Sequence, residues 1–143
     1  MTQKLINQYH FNVNWGGKRS DFAEVSGLNI EIETIRHRYA NSPSQFAQKA
    51  PGLLNYSEVT FTRNIELGDT DFFDWISTKH FTKIERRDIL ITLLNEEHNP
   101  VYMWKLRNCF PIKYIGPTLR SRDSLFASES LVITHEGMTV ENI

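Results

Sequence analysis

The chain alternates between apolar and polar positions with period two over most of its length, which is the pattern of half-buried strands. Tyr9, Phe11, Val13 and Trp15 share one face, and His10, Asn12 and Asn14 share the other, until Gly16-Gly17 breaks the run. A short second strand, Phe22–Val25, ends at Ser26-Gly27. From 28 to 35, Leu28, Ile30 and Ile32 lie opposite Glu31 and Glu33. These spacings predict a meander of short antiparallel strands. From 56 to 64, Val59 and Phe61 point one way, and Tyr56, Glu58, Thr60 and Thr62 point the other, a Thr-rich face suited to an exposed sheet surface. Residues 84–94 are apolar on both faces from Ile89 to Leu94, so that strand should be covered on both sides. The turn NEEHNP returns the chain as VYMWKL, which makes 84–106 a hairpin. A Pro/Gly-punctuated crossing, FPIKYIGPTL, leads to a last long strand over 127–135, with Leu131 and Ile133 on one face and Glu129 and His135 extending it.

Two stretches depart from this period. ELGDTDFFDWISTKH takes up helical spacing, which predicts one helix over 69–79. Asp69 is placed to accept from the free N–H groups of the first turn, and Asp71 and Asp74 sit at the favourable end of the dipole. Phe72, Phe73 and Ile76 should cluster on one side, with Trp75 beside them. Residues 37–54 follow no period and carry Pro43, Pro51 and Gly52. Loops of that length are usually functional or disordered. Tyr39, Phe46, Leu53 and Leu54 argue for an arm that orders by packing on something, either its own domain or a partner. No repeat, low-complexity tract or linker interrupts the chain, so 1–143 reads as a single domain. It is mainly β, with seven or eight strands and one helix.

Composition changes this picture little. At 143 residues, the chain can bury a core without disulfides or metals. Sixteen basic and 17 acidic residues leave a net charge of −1, which calls for neither nucleic acid nor an anionic membrane. The first residues lack a basic segment followed by an apolar run, so no signal peptide is expected. No apolar stretch reaches the roughly 20 residues of a membrane-spanning helix, so no membrane insertion is expected. The lone Cys109 reads as a small buried residue and implies folding in a reducing compartment.

Candidate chemistry is sparse. Histidines at 10, 37, 80, 98 and 135 do not pair at metal-ligand spacing, and neither a nucleophile elbow nor a phosphate-binding glycine loop occurs. Glu85, Glu96 and Glu97 read as solvated residues, and His135-Glu136 as a structural pair at a strand end. Arg86-Arg87, and Lys113, Arg120 and Arg122 with Phe110, Tyr114 and Phe126 nearby, are the best nucleic-acid candidates. Glu85, Asp88 and Asp123 dilute both groups. No catalytic residue, metal site or cofactor is expected.

Several pieces run in order through nearly the whole chain: FNVNWGG, FAEVSGL, the PG of KAPGLLNYSEVTFTRNI, GDTDFFDWI, DILITLLNEEHNPVYMWKLRNCFPIKYIGPTL and SESLVITHEGM. In order and spacing they resemble the tail-tube proteins of contractile phage tails and contractile injection systems, most strongly from Trp104 to Gly137. The resemblance implies an antiparallel β-sandwich or barrel-like subunit with one flanking helix, a homohexameric ring whose sheets join around a channel, and rings that stack into a rigid tube. A sheath drives that tube through a target envelope, and baseplate and spike proteins carry its tip. It also implies a cargo protein or DNA in the lumen, and assembly in a bacterial cytoplasm into a phage tail or an injection particle. It implies that the loop, here 38–54, contacts the next ring, which makes Tyr39, Ser42, Pro43, Phe46, Lys49 and Pro51 candidate interface residues. A tube initiator on the baseplate shares the same pattern. Chain length, strand content and 12% aromatic residues also suit a monomeric ligand-binding β-barrel.

Overall fold

The computed structural model describes residues 5–8, 10–37, 48–77, 84–122 and 125–142. In chain order, the strands among them are β1 (Phe11–Asn14), β2 (Glu24–Ser26), β3 (Ile30–His37), β4 (Gln48–Tyr56), β5 (Val59–Asn64), β6 (Arg87–Leu94), β7 (Pro100–Ile115), β8 (Ser128–Thr134) and β9 (Gly137–Asn142). One helix, α1, spans Asp71–Ile76. All strand pairs are antiparallel.

The 16-residue β7 joins two sheets. Its first half pairs with β6 on one side and β9 on the other, and β6 pairs in turn with β1. Its second half pairs with β8, which pairs with β5, and β5 with β2. Strands β8 and β9 run end to end along β7: Phe110 faces Thr134 and Arg107 faces Gly137, with the Glu136 N–H donating to the Arg107 carbonyl at 2.9 Å between them. FPIKYI is therefore not a crossing but the second half of a continuous strand. Pro111 is tolerated there because that half has a strand partner on one side only among the described residues.

The bend between the halves has a local cause. Arg87 faces Cys109 and Ile89 faces Leu106, so Arg107 and Asn108 together oppose Asp88. This β-bulge sharpens the twist. Asn108 takes a left-handed backbone at this bulge, with φ 50°, a conformation asparagine tolerates better than most residues. Its N–H donates to Asp88 Oδ1 at 3.1 Å, and its side-chain amide donates to Glu136 Oε2 at 2.7 Å.

Alternation in both sheets aims Val13, Trp15, Val59, Phe61, Ile89, Ile91, Leu106, Cys109, Leu131 and Ile133 into one core. Helix α1 adds Phe72 and Trp75 to it. The helix is shorter than 69–79, with Thr70 at its N-cap position. Asp69 still reaches the first turn, accepting from the Asp71 N–H at 3.0 Å. Phe73 does not join Phe72 in the core: it is exposed and lies edge-on to Tyr114. Trp104 is only partly buried. β6 is covered on both faces in part: Ile89, Ile91 and Thr92 are buried, and Leu90, Leu93 and Leu94 are half-buried.

Candidate assembly interface

Strands β3 and β4 form a two-stranded sheet of their own, separate from the sandwich. The expected irregular stretch over 37–54 is thus a strand from Gln48 onward, with its partner strand extending to His37. Pro51 and Gly52 mislead because they sit at a bulge, where the register shifts between Ile32 and Thr34. Of the candidate interface residues, Lys49 pairs with Arg36 and Pro51 with Thr34, and both are exposed. Tyr39, Ser42, Pro43 and Phe46 lie outside the described residues.

This hairpin exposes apolar side chains from both strands: Ile30, Ile32, Ile35, Leu53 and Leu54, from 42% to 73% exposed. A lone two-stranded hairpin is marginal in water, and contiguous exposed apolar surface marks an interaction site. Its root is held firmly. Gly27 turns the chain with φ 91°, and any Cβ there would lie 2.1 Å from the Glu58 carbonyl oxygen. The Ser57 N–H donates to the Asn29 carbonyl across the root, and Tyr56, the last residue of β4, packs on His135 with ring centroids 5.3 Å apart.

The sandwich has its own unfilled surface. An open groove of about 650 Å³ runs beside β2 and is walled by Phe11, Phe22, Val25, Leu28, Leu93 and Trp104. The outward face of the β7-β8-β5-β2 sheet is rich in hydroxyls. Ser26 faces Thr60, and Thr62 faces Ser130, their hydroxyl oxygens 2.9 Å apart. The Thr-rich face expected at Thr60 and Thr62 therefore continues onto two neighbouring strands.

The candidate chemical groups are tied up structurally. Burial pushes the Cys109 thiol up to about 12, the range of an inert thiol. Glu136 does not pair with His135: it accepts from Asn108 and from Arg86, the latter at 2.7 Å. Arg86 also lies over Phe110, and Arg87 pairs with Glu85 and lies over Trp75. Lys113, Arg120 and Arg122 are exposed. His10 and His98 meet with ring centroids 4.7 Å apart, a contact that chain spacing hid. Among the described residues, no group of three or more His, Cys, Asp or Glu is placed to hold a metal, and no helix is long and apolar enough to cross a membrane.

Sequence reasoning missed a buried charge network. Arg63 is fully buried on the inward face of β5 and donates from Nε to Glu129 Oε1 at 2.9 Å and from Nη2 to Asp69 Oδ1 at 3.2 Å. Arg19 adds a 2.7 Å bond to Asp69 Oδ2, and the Tyr114 hydroxyl donates to Glu129 Oε2 at 2.8 Å. The signal was the alternation itself, which puts Arg63 in line with Val59 and Phe61, and Glu129 in line with Leu131 and Ile133.

Known proteins share this arrangement. Residues 7–139 match the family model described as T4-like virus tail tube protein gp19. A chain of an extracellular contractile injection system, the PVC sheath-tube complex in its extended state, superposes with a TM-score of 0.89 at 25% identity, over 99% of this chain and 94% of that one. The anti-feeding prophage tube-terminating cap gives a TM-score of 0.89 at 24% identity, over 100% and 95% of the two chains. Hcp1 from Flavobacterium johnsoniae gives 0.58 at 15% identity, over 94% and 96%. These last two likenesses speak to the fold alone. A comparison with curated proteins finds no match.

Proposed function

Because this chain belongs to the T4-like virus tail tube protein gp19 family, we propose that it is a structural subunit of the inner tube of a contractile injection system or phage tail. Six copies form a ring, and rings stack into a hollow tube that a sheath drives through a target envelope. The observation that carries this reading is the β3-β4 hairpin. It projects from a well-packed sandwich with apolar side chains exposed along both strands, and a neighbouring ring supplies the cover that its own body does not.

Ring closure and stacking need two different interfaces from a single chain. Head-to-tail contacts related by rotation close a ring, and contacts related by translation along the axis continue as a filament. The sandwich edges serve the first and the hairpin serves the second. The hydroxyl-rich outward face suits a wet channel, through which cargo passes as a protein or as DNA. The partners are the sheath and the baseplate. The likeness to a protein solved in a sheath-tube complex supports the sheath as a partner. The work is mechanical, without a catalytic group.

A monomeric ligand-binding barrel fits less well, since the apolar groove lies open beside an edge strand instead of inside a closed barrel. Negative-stain microscopy of the purified protein, alone and with sheath and baseplate partners, tests the proposal. Rings or tubes are expected. Persistent monomers across protein and salt concentrations, with no rings when partners are added, would refute it.

A further inference from the structure

The β6-β7 turn brings His98 against His10 at one corner of the sandwich. Their ring centroids are 4.7 Å apart and the rings are tilted by 46°. His10 precedes β1 and is half-buried, and His98 is exposed. Main-chain and turn bonds fix both residues to the same short stretch at the end of β6. The Leu94 N–H donates to the His10 carbonyl at 2.7 Å. The next residue, Asn95, closes the turn. Its Oδ1 accepts from the N–H groups of Glu97 and Asn99, each at 2.9 Å, and its carbonyl accepts from the His98 N–H at 3.0 Å. His98 holds a left-handed backbone, with φ 64°, which histidine adopts more readily than most residues.

We propose that His10 and His98 together bind one late first-row divalent transition ion (zinc, nickel or copper) through one ring nitrogen each. The proposal goes beyond the tube reading and does not depend on it.

Three observations support it. First, the spacing fits. Two imidazoles on one tetrahedral ion, each nitrogen at about 2.0–2.1 Å from it, have ring centroids about 5 Å apart. The lone pairs of an imidazole lie in the ring plane, so two parallel stacked rings cannot aim at one ion. The 46° tilt departs from such a stack. Second, the charge suits a cation. The segments that build the corner, 5–17 and 88–104, contain no lysine or arginine, and the turn carries the exposed Glu96 and Glu97. Third, the two ligands are held by a hydrogen-bonded turn and by the start of β1, so binding has little left to order. Imidazole donors select zinc, nickel and copper over magnesium or calcium. Each ring ligates through one nitrogen and keeps the other for an orienting hydrogen bond, so other partners of either ring are compatible with the site. Among the described residues, no third His, Cys, Asp or Glu completes a metal-holding group with the pair. The chain therefore supplies two ligands, and exchangeable water fills the remaining positions.

Isothermal titration of the untagged full-length protein with zinc, nickel and copper(II) chlorides, and with magnesium chloride as control, tests the site. Saturable binding of one transition ion per chain is expected, with none for magnesium. His10→Gln and His98→Asn should each weaken binding at least about tenfold, since even the outer partners of ligating histidines cost that much. Asparagine tolerates the left-handed backbone at 98, and unchanged urea midpoints without metal would show that both variants fold. Copper bound to the wild type should give an electron paramagnetic resonance spectrum with nitrogen coupling, which the double variant should lose. Failure of the wild type to bind any of the three ions, or retention of wild-type affinity by either single variant, would overturn the proposal.

Discussion

Arg63 and Glu129 form an ion pair inside the core, 2.9 Å between Nε and Oε1, at a depth where both side chains are 5% exposed or less. The guanidinium lies 3.8 Å from the centre of the Phe72 ring, so it also ties α1 to the sheet. Asp69 and Tyr114 complete the set, and every charge in it has a partner. Buried pairs contribute little net stability when intact but cost heavily when broken. Arg63→Met should therefore destabilise the subunit by about 3–5 kcal/mol in urea unfolding, and Arg63→Met with Glu129→Gln should recover part of that loss. Burial opposes the Asp69 charge, but the Asp71 N–H, Arg19 and Arg63 outweigh it and hold the carboxyl below the usual range. A depressed carboxyl contributes stability above its unfolded value of about 4 and loses it as pH falls through the folded value. Asp69→Asn should flatten the acid limb of the stability profile.

The structure places Trp104, only partly buried, on the wall of the open groove. Full burial of a large aromatic gives losses of about 3–5 kcal/mol on truncation to alanine. Trp104→Ala should cost the monomer about 1–2 kcal/mol, less than a fully buried aromatic for want of contacts on its open side. Trp15→Ala, at the centre of the Phe22, Phe72 and Trp75 cluster, should cost the full amount. Parallel denaturant melts of the two variants check the ordering.

Ile32 and Leu54 face each other across the hairpin, both exposed. Replacing them together with glutamine removes apolar surface that the isolated subunit leaves in water. Monomer stability should change by no more than about 0.5 kcal/mol, as for surface substitutions, while tube length in micrographs should fall sharply. A large drop in melting temperature would show that the hairpin packs on its own domain.

Asn108 carries the bend of β7. Glycine adopts its φ of 50° without strain, whereas a β-branched residue there is a genuine outlier. Asn108→Gly should cost less than about 1 kcal/mol, and Asn108→Val about 2–3 kcal/mol from backbone strain and loss of the side-chain bond to Glu136. Urea midpoints at unchanged m-value are the measurement.

The elements legible beforehand are those where a single face decides the pattern. β1, β5 and β8 alternate cleanly because one side meets the core, and the Asp69 capping role followed from its place before an apolar run. Of the hairpin, β3 was legible from its alternation over 28–35, whereas β4 was not, because neither of its faces meets the body and Pro51-Gly52 read as a loop. β9, with Gly137 and Glu141 among its six residues, has weak strand character and depends on pairing with β7. The β2 groove could not be read at all, since its walls come from β1, β2, β6 and β7 and the loops beside them.

His135 marks the hairpin root as a pH-sensitive point. It sits at the step between β8 and β9 with its ring on Tyr56, and neither ring nitrogen makes a hydrogen bond among the described residues. Burial pushes its pKa down, and the nearby main chain of Gly137 and Ser57 offsets this only in part. The adjacent Glu136 is engaged by Arg86 and Asn108, so it does not neutralise a protonated ring. A histidine with a depressed folded pKa is bound neutral. The unfolded chain takes up the proton first, so stability is lost as pH falls from about 6.5 toward the folded value. Protonation would leave an uncompensated cation under Tyr56, and moving Tyr56 is the direct way to hydrate it. The wild-type protein should therefore lose stability, and its hairpin amides should exchange faster, as pH falls below about 6.5. His135→Phe should abolish both changes while keeping the contact with Tyr56. Hydrogen-exchange rates of β4 that remain pH-dependent in the variant, after correction for intrinsic exchange, would show that another group controls the root.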